Sequence, residues 1–283
     1  NGMETALSLP VEIEEPKGTV EELSMVKDVL GSYSTSYTTS AAARVANVEN
    51  GTRLLNGVTL YPGETFSTLE LVTPFTEANG YAMAGSYLNG LVVDSLGGGI
   101  CQVSTTLYNA VLFAELEVTQ RSSHSMSVAY VPLSADAAIA ESAGKDFCFT
   151  NSTDYPIYIE GYTTPERRVT FNIYGVETRK DGYTFNFVTE VMETIQATTE
   201  NIIQVADQPI GYTKIQGAHT GYKTKLIKIV YDNGLEGRRE TINTSTYKMV
   251  PRTVSVGVAT DNPDAYNQLQ EAIATGSIDH VCN

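Results

Sequence analysis

The stretch GGGICQVSTTLYNA, Gly97–Ala110, joins three consecutive glycines to a cysteine and then to a helical pattern. The apolar residues that follow the cysteine recur at helical spacing: Val103, Leu107, Ala110, Val111 and Ala114. This spacing predicts an amphipathic helix over Gln102–Leu116. Glycines let the backbone turn sharply and leave no side chains to block a ligand. The stretch therefore predicts a bend that presents the Cys101 thiol at a helix N-terminus.

A thiol at this position is a candidate nucleophile. A cysteine attacks as the thiolate, and the unpaired N–H groups of a helix N-terminus lower the pKa of a thiol. The same groups can stabilise an oxyanion. We expect the oxyanion and substrate contacts from Gly98, Gly99, Gln102 and Ser104. The alternative is a buried structural cysteine at a helix start, since free cysteines are often buried.

The glycines do not form a phosphate-binding loop. Such a loop needs a Lys and a Ser or Thr directly after its last glycine, whereas Ile100 and Cys101 follow here and the next lysine is Lys145. The cysteines and histidines also lack the spacing of a zinc site. The sequence therefore predicts neither a metal nor a cofactor.

A cysteine nucleophile needs a base, and the chain has three histidines. His124, in RSSHSMSVAYVP, follows the predicted helix closely enough for a turn and a strand to bring it back to the helix start. His219 and His280 are expected to be exposed loop residues. Asp136, in PLSADAA, is the nearest downstream carboxylate that could orient the imidazole. A backbone carbonyl could do the same, and Asp136 could instead cap a turn.

Arg44 is a lone cation in an early predicted helix, Ser40–Leu55. It could hold a substrate carboxylate through two parallel hydrogen bonds. It could equally pair with a local glutamate. The sequence leaves both roles open.

Composition limits the classes of partner. The 283 residues include 33 Asp and Glu against 18 Lys and Arg, a net charge of −15. Nucleic acids and anionic membranes require clustered basic residues, so neither is an expected partner. No run of about 18 apolar residues exists, and the first residues do not resemble a signal peptide. If Cys148 and Cys282 pair, Cys101 is the free thiol.

Changes in composition divide the chain into four segments. Residues 1–28 resemble a tail or linker, and residues 29–176 form one domain. Residues 177–258 form a Thr-, Tyr- and Val-rich β module, and residues 259–283 a tail with a possible short helix capped by Asp261 or Asp264. Alternation predicts a hairpin with Ile157, Ile159, Val169, Phe171 and Ile173 inward. Asn233-Gly234 predicts a second hairpin. We expect an α+β fold, with the cysteine helix packed on an antiparallel sheet, followed by an elongated all-β module.

Several motifs, in order, resemble a VanW domain over about Gly31–Gly175. They are FSTLELV, NGYAMAGSYLNG, GGGICQVSTTLYNAVLFAELEV, RSSHSMSVAYVP and DFCFTNSTDYPIYI. The family often has a glycine before the aspartate, where this chain has Ser134-Ala135-Asp136. The β module, with PIGYTKIQGAHTGYKT and YDNG, resembles a G5 domain.

The resemblance implies an L,D-transpeptidase acting on peptidoglycan stem peptides, with Cys101 as nucleophile and His124 as base. It also implies a glycan-binding G5 module that recognises N-acetylglucosamine. Such proteins are extracytoplasmic, held at the cell wall of Gram-positive bacteria by an N-terminal membrane helix that this chain lacks. Two alternatives stay open. One is a non-catalytic wall-binding or vancomycin-resistance accessory protein, and the other is a cysteine-dependent L,D-carboxypeptidase or endopeptidase.

Overall fold

A computed structural model describes residues 17–88 and 91–283 of the chain. Residues 1–16 of the predicted tail lie outside the described residues. The rest of that segment contains a short helix, α1 (Val20–Ser24). A capping box explains it, because the Thr19 hydroxyl accepts the N–H of Glu22 and the Glu22 carboxylate accepts the N–H of Thr19.

The chain is mixed α+β with a large share of sheet. The first domain continues with β1 (Asp28–Ser36), α2 (Ala42–Leu55), β2 (Val58–Leu60), β3 (Thr65–Ser67), α3 (Thr68–Val72), β4 (Met83–Leu88), β5 (Leu91–Leu96), α4 (Ile100–Phe113), β6 (Glu117–Gln120), β7 (Cys148–Thr150), β8 (Ile157–Thr163) and β9 (Arg168–Gly175). The β module contains β10 (Tyr183–Ile195), β11 (Glu200–Pro209), β12 (Thr213–Gln216), β13 (Gly221–Asp232), β14 (Leu235–Tyr247) and β15 (Arg252–Ala259). Two helices follow, α5 (Pro263–Ala274) and α6 (Ile278–Cys282).

The main sheet of the first domain has the strand order β1-β9-β8-β2, and all its pairs are antiparallel. The predicted hairpin is β8–β9, and its five inward residues are fully buried, as expected: Ile157, Ile159, Val169, Phe171 and Ile173. Helix α4 packs on β1 and β9. It approaches closely at Gly31, where a side chain would overlap the carbonyl oxygen of Ala110.

Helix α4 differs from its prediction at both ends and in its surroundings. It starts two residues earlier because Gly99, with φ 108°, turns the chain into the helix at Ile100. It ends at Phe113, and Glu115 with φ 58° then redirects the chain into β6. Every residue from Gln102 to Leu112 is buried. The helix is therefore a central element, not an amphipathic helix with one face in solvent.

The β module consists of two three-stranded sheets. The first, β10-β13-β14, is antiparallel and contains the predicted hairpin at Asn233-Gly234. Both turn residues have positive φ, as this turn requires. The second, β11-β15-β12, includes a parallel pair between β11 and β15.

The predicted C-terminal tail is folded, and its helices pack against the second sheet of the β module. Helix α6 places Ile278, which is fully buried, against Val254 and Val256 of β15. Helix α5 begins after Asn262, whose side chain accepts two backbone N–H groups, so neither Asp261 nor Asp264 is the N-cap. An apolar face on each short helix explains why the segment folds onto the sheet.

The sheet β10-β13-β14 packs against the first domain. Leu226 of β13 belongs to the same buried core as the residues of α4 and the main sheet. Phe113, at the end of α4, contacts the rings of Phe185 and Phe187. Within the described residues, no helix combines the length and apolar character needed to cross a membrane.

Candidate active site

The three glycines form a tight turn that delivers Cys101 into the first turn of α4. The N–H of Ile100 donates to the carbonyl of Gly97, and that of Gln102 to the carbonyl of Gly99, at 3.0 Å each. Gly97 and Gly99 have positive φ. A side chain at Gly98 would overlap the carbonyl of Ala84 in β4. The backbone conformation at Gly97 and Gly99 and the close contact at Gly98 therefore each favour a residue without a side chain. The turn places the partly buried thiol of Cys101 at the helix N-terminus.

His124 and Asp136 meet Cys101 at this point. The imidazole lies close enough to the Cys101 thiol for its hydrogen bond and charge to lower the pKa of the thiol. Cys101 Sγ also donates to the backbone carbonyl of Ile139 at 3.4 Å. On its other side, His124 Nδ1 lies 2.7 Å from Asp136 Oδ2, which also accepts the backbone N–H of His124 at 2.7 Å. The aspartate is 1% and the histidine 9% exposed. The structure thus brings together the three predicted residues in the order thiol, imidazole, carboxylate.

The second oxygen of Asp136 is also occupied. Asp136 Oδ1 accepts hydrogen bonds from Arg121 Nη2 at 2.9 Å and from the Tyr247 hydroxyl at 2.5 Å. Arg121 Nε donates to the backbone carbonyl of Asp136 as well, at 2.6 Å. The buried carboxylate is therefore fully hydrogen-bonded and cannot rotate without breaking several contacts.

These contacts shift the pKa values of all three residues. Burial alone would raise the pKa of the Cys101 thiol, but the hydrogen bond and charge of His124 outweigh it and lower that pKa. Burial alone would lower the pKa of His124, but Asp136 and Cys101 raise it to about 9. For Asp136, His124 and Arg121 outweigh burial and lower the pKa to about 2.

The shifts favour the thiolate–imidazolium form of the pair over the neutral thiol and imidazole. The Asp136 carboxylate lies between two cationic partners, Arg121 and the protonated His124, and the charge of His124 also favours the Cys101 thiolate. Such a thiolate is nucleophilic, and the imidazolium beside it can protonate a leaving group. The arrangement has the parts needed for acyl transfer through a thioester.

A cleft of about 770 Å³ lies beside the cysteine turn. Its walls come from the segment between β1 and α2, from the β4–β5 hairpin, and from Ala129 and Tyr130. Cys101 and His124 do not themselves line the cleft, but their neighbours Gln102 and Tyr130 do. Burial and then the charge of Cys101 raise the pKa of Tyr130, which fits a position of this wall near the thiol. The cleft is therefore the candidate substrate site.

The structure corrects part of the predicted oxyanion set. The Ser104 hydroxyl is buried and donates to the carbonyl of Ala137 at 2.7 Å, so it does not face the cleft. The N–H of Gly98 donates to Ser95, and that of Gln102 to Gly99. Fold-forming hydrogen bonds thus occupy these groups, which leaves the backbone N–H groups of Gly99 and Cys101 as candidates.

Arg44 lines the cleft, and its side chain is held by polar groups on both sides of the turn. Its guanidinium donates to the Ser40 hydroxyl at 2.7 Å and to Gln102 Oε1 at 2.8 Å. The Gln102 amide in turn donates to Thr35 and to the carbonyl of Ser36. The Gln102 side chain therefore connects Arg44 to the end of β1 by hydrogen bonds and holds both next to the glycine turn.

The remaining cysteines and histidines lie elsewhere. All three cysteines are free thiols, so Cys148 and Cys282 are not paired. His219 forms a backbone bridge with Val250 and is partly buried, and His280 is exposed but lies on α6, not in a loop. Across 17–88 and 91–283, no group of three or more His, Cys, Asp or Glu residues is placed to hold a metal ion.

Three residues of the site were not predicted. Arg121 stands in the same motif as His124, so its proximity to the site was readable from the sequence. Tyr130 belongs to the YVP motif, which the resemblance includes. Tyr247 lies 111 residues beyond Asp136 in the β module, and no local pattern connects the two.

Comparisons with known proteins identify the domain around this site. The family model described as VanW like protein matches residues 43–174, the part of the first domain that contains Cys101, His124 and Asp136. YoaR of Bacillus subtilis (strain 168), described as uncharacterized, is 40% identical over 130 residues, covering 46% of this chain and 43% of that protein. The vancomycin B-type resistance protein VanW of Enterococcus faecalis (strain ATCC 700802 / V583) is 33% identical over 123 residues, covering 41% of this chain and 44% of that protein. The matches span less than half the length of these relatives.

The structural neighbours of the chain include G5 domains. The IgA1 protease G5 domain is 26% identical, covers 29% of this chain and 98% of its own, and has a TM-score of 0.18. The structure described as HP0197-G5 is 18% identical, and the match covers 26% of this chain and 97% of that one with a TM-score of 0.15. TM-scores this low do not establish a shared fold.

Proposed function

We propose that this chain, through its VanW-like domain, is a peptidoglycan L,D-transpeptidase with Cys101 as the nucleophile. The observation that carries the proposal is the arrangement of Cys101, His124 and Asp136, in which the imidazole lies between the thiol and the carboxylate at the N-terminus of α4. The family match and the relative named for vancomycin resistance support a function connected with the cell wall. The proposal places the protein outside the cytoplasm, where that substrate is found.

In the first half of the reaction, the Cys101 thiolate attacks the carbonyl carbon of the amide between the third residue of a stem peptide and its terminal D-alanine. The C–S bond forms and the C–N bond breaks. His124 gives its proton to the departing amine of D-alanine. The N–H groups of Gly99 and Cys101 hold the oxyanion until the tetrahedral intermediate collapses to a thioester.

In the second half, an amine from a neighbouring stem peptide attacks the thioester carbon. The amine loses a proton to the now neutral His124, the C–S bond breaks, and the thiolate returns. Asp136 keeps the imidazole oriented with Nδ1 toward the carboxylate in both halves. The product is a 3-3 cross-link between two stems.

The cleft supplies the binding contacts. Arg44 lies in its wall, with a guanidinium fixed in place by Ser40 and Gln102. A fixed guanidinium suits a carboxylate, because it can donate two parallel hydrogen bonds. We assign it to a free carboxylate of the donor stem. The acidic surface of the chain fits a neutral or amine-bearing acceptor better than a polyanion.

The test is incubation of the full chain with disaccharide-tetrapeptide muropeptides, with products identified by mass spectrometry. The wild type should release D-alanine and form 3-3 dimers, and Cys101→Ala should do neither. Cys148→Ala is the matched control, because this thiol is also partly buried but lies beside Asp146 and away from His124. It should retain full activity.

Three outcomes would contradict the proposal in different ways. Full activity of Cys101→Ala would exclude the nucleophile. Tripeptides without dimers would show that water is the acceptor, making the protein a carboxypeptidase. A wild type without any product, although Cys101 is reactive, would favour the accessory role.

A further inference from the structure

We propose that Tyr247, at the end of β14, is a positioning residue for the Cys101–His124 pair, so that the first sheet of the β module completes the active site. This inference rests on the proposed function only for its consequence in catalysis. The predicted division, with a catalytic domain and a separate wall-binding module, assigns no such role to the module.

The contact that carries the inference is buried and specific. The Tyr247 hydroxyl donates to Asp136 Oδ1 at 2.5 Å and accepts the backbone N–H of Ser134 at 2.7 Å. The side chain of Tyr247 is 2% exposed. Burial and the charge of Asp136 raise the pKa of this phenol, so it stays protonated and donates. One hydroxyl therefore fixes both the carboxylate and the turn that leads to it.

That turn has an uncommon backbone conformation. Ser134 has φ 67°, in the left-handed region that favours glycine. Groups of the β module hold it there: the Ser134 hydroxyl shares a hydrogen bond with Thr224 at 2.6 Å, and its carbonyl accepts Asn243 Nδ2 at 3.0 Å. A strained conformation persists only where its surroundings fix it. The module therefore supplies the contacts that hold the Asp136 turn in place.

The module also fixes the other partner of Asp136. Arg121 Nη1 donates to the Ser245 hydroxyl, two residues before Tyr247, at 2.9 Å. Next to His124, the backbone carbonyl of Ser125 accepts the N–H of Lys248, the residue after β14, at 2.7 Å. The end of strand β14 and the residue that follows it thus contact the aspartate, the arginine and the histidine segment.

The consequence is that the VanW-like domain alone holds an incomplete site. Without Tyr247, Asp136 Oδ1 keeps only the hydrogen bond from Arg121, and the carboxylate gains freedom to turn away from His124. A weaker bond to Nδ1 stabilises the imidazolium less, and the imidazolium then stabilises the thiolate less. The Cys101 thiol should therefore need a higher pH to ionise.

The test measures alkylation of Cys101 by iodoacetamide against pH in the full chain, with the modified peptide identified by mass spectrometry. Tyr247→Phe should move the acid limb of the Cys101 rate profile upward by about one pH unit, the order expected for one lost hydrogen bond. Tyr183→Phe is the matched control. Its hydroxyl also donates to a carboxylate of the first domain, but this carboxylate is Glu115 and not Asp136. It should leave the profile unchanged.

This readout needs no substrate, so its failure is distinct from failure of the proposed function. An unchanged or downward-shifted profile in folded Tyr247→Phe would overturn the inference, even if Cys101 forms cross-links. A shifted profile in a protein that makes no cross-links would support the inference and refute the function. In an Asp136→Asn background, Tyr247→Phe should cause no further shift.

Folding is checked by thermal unfolding of each variant. If Tyr247→Phe does not fold, Ser245→Ala replaces it, since that change frees Arg121 Nη1 and leaves Tyr247 in place. It should move the acid limb in the same direction by a smaller amount. An unchanged profile in folded Ser245→Ala would then contradict the inference.

Discussion

At the scale of the residue, the reactivity of Cys101 depends on one imidazole and the carboxylate behind it. Burial works against the thiolate, and the imidazolium outweighs burial. Cys148 gives a contrast within the same chain: burial and Asp146 raise the pKa of its thiol to about 12. The difference in the neighbouring charge, not the degree of burial, separates the two thiols.

The pKa values predict a bell-shaped pH profile for the transfer reaction. As pH falls, the Cys101 thiolate takes up a proton, and because its pKa lies below 9.0 this limb lies below that of an ordinary thiol. As pH rises through about 9, His124 loses the proton that the leaving amine needs. kcat/KM measured against pH should show both limbs. Alkylation of Cys101 needs only the thiolate and should show no alkaline decline, and a decline there would contradict the assignment.

Asp136→Asn should lower kcat/KM by about 100-fold or more, the order of one general acid–base contribution. The alkaline limb should also move to lower pH, because the carboxylate raises the pKa of His124. Steady-state kinetics across pH provide the measurement. Asp181→Asn, an exposed aspartate of the linker between domains, is the control. An Asp136→Asn profile with unchanged limbs would show that the backbone alone orients the imidazole.

At the scale of the element, much of the site was predictable because its parts are close in sequence. The glycine turn, the cysteine and the helix form one continuous stretch, and His124 and Asp136 follow on the next segments. Helix α4 was placed correctly in type and approximately in its bounds. Its burial on all sides was not predicted, because polar residues such as Thr105 and Asn109 face loop carbonyls that periodicity does not reveal.

Gly98→Ala should destabilise the fold by about 1–3 kcal/mol, the usual cost of overpacking a close contact. The new side chain would overlap the carbonyl of Ala84, which belongs to the β4 backbone and cannot move freely. Denaturant unfolding measures the change in free energy. Gly217→Ala is the control, since a side chain there meets nothing within 4 Å. Equal stabilities of the two variants would show that the glycine turn is not tightly packed.

At the scale of the whole molecule, the boundary predicted near residue 176 does not separate two independent cores. Aromatic rings, a partly buried ion pair and several hydrogen bonds join the sheet β10-β13-β14 to the first domain. No sequence pattern predicted this interface, because its partners lie far apart in the chain and each strand alternates as a solvated strand would. The position of Tyr247 was unpredictable for the same reason.

Lys228→Ala should therefore destabilise the whole chain, by about 2 kcal/mol or more, while unfolding stays a single transition. Lys228 is 7% exposed, pairs with Glu115 of the first domain and lies over the Phe185 ring. Removing Lys228 leaves the partly buried Glu115 carboxylate with the more distant Arg179, at 3.7 Å, and the Tyr183 hydroxyl. Breaking such a pair costs about 2 kcal/mol or more. Thermal unfolding followed by two probes provides the measurement.

Lys223→Ala is the matched control on the same strand, because its pair with Glu193 is exposed and contributes at most about 1 kcal/mol. If Lys228→Ala separates unfolding into two transitions, or affects stability no more than Lys223→Ala, then the β module folds independently.

The most direct measurement is the intact mass of the full chain after brief incubation with a tetrapeptide muropeptide and acid quenching. We predict an adduct with the mass of the muropeptide less D-alanine, located on Cys101, labile to hydroxylamine as a thioester is, and absent from Cys101→Ala. The same adduct on another residue, or an unmodified chain under conditions where D-alanine is released, would contradict Cys101 as the nucleophile.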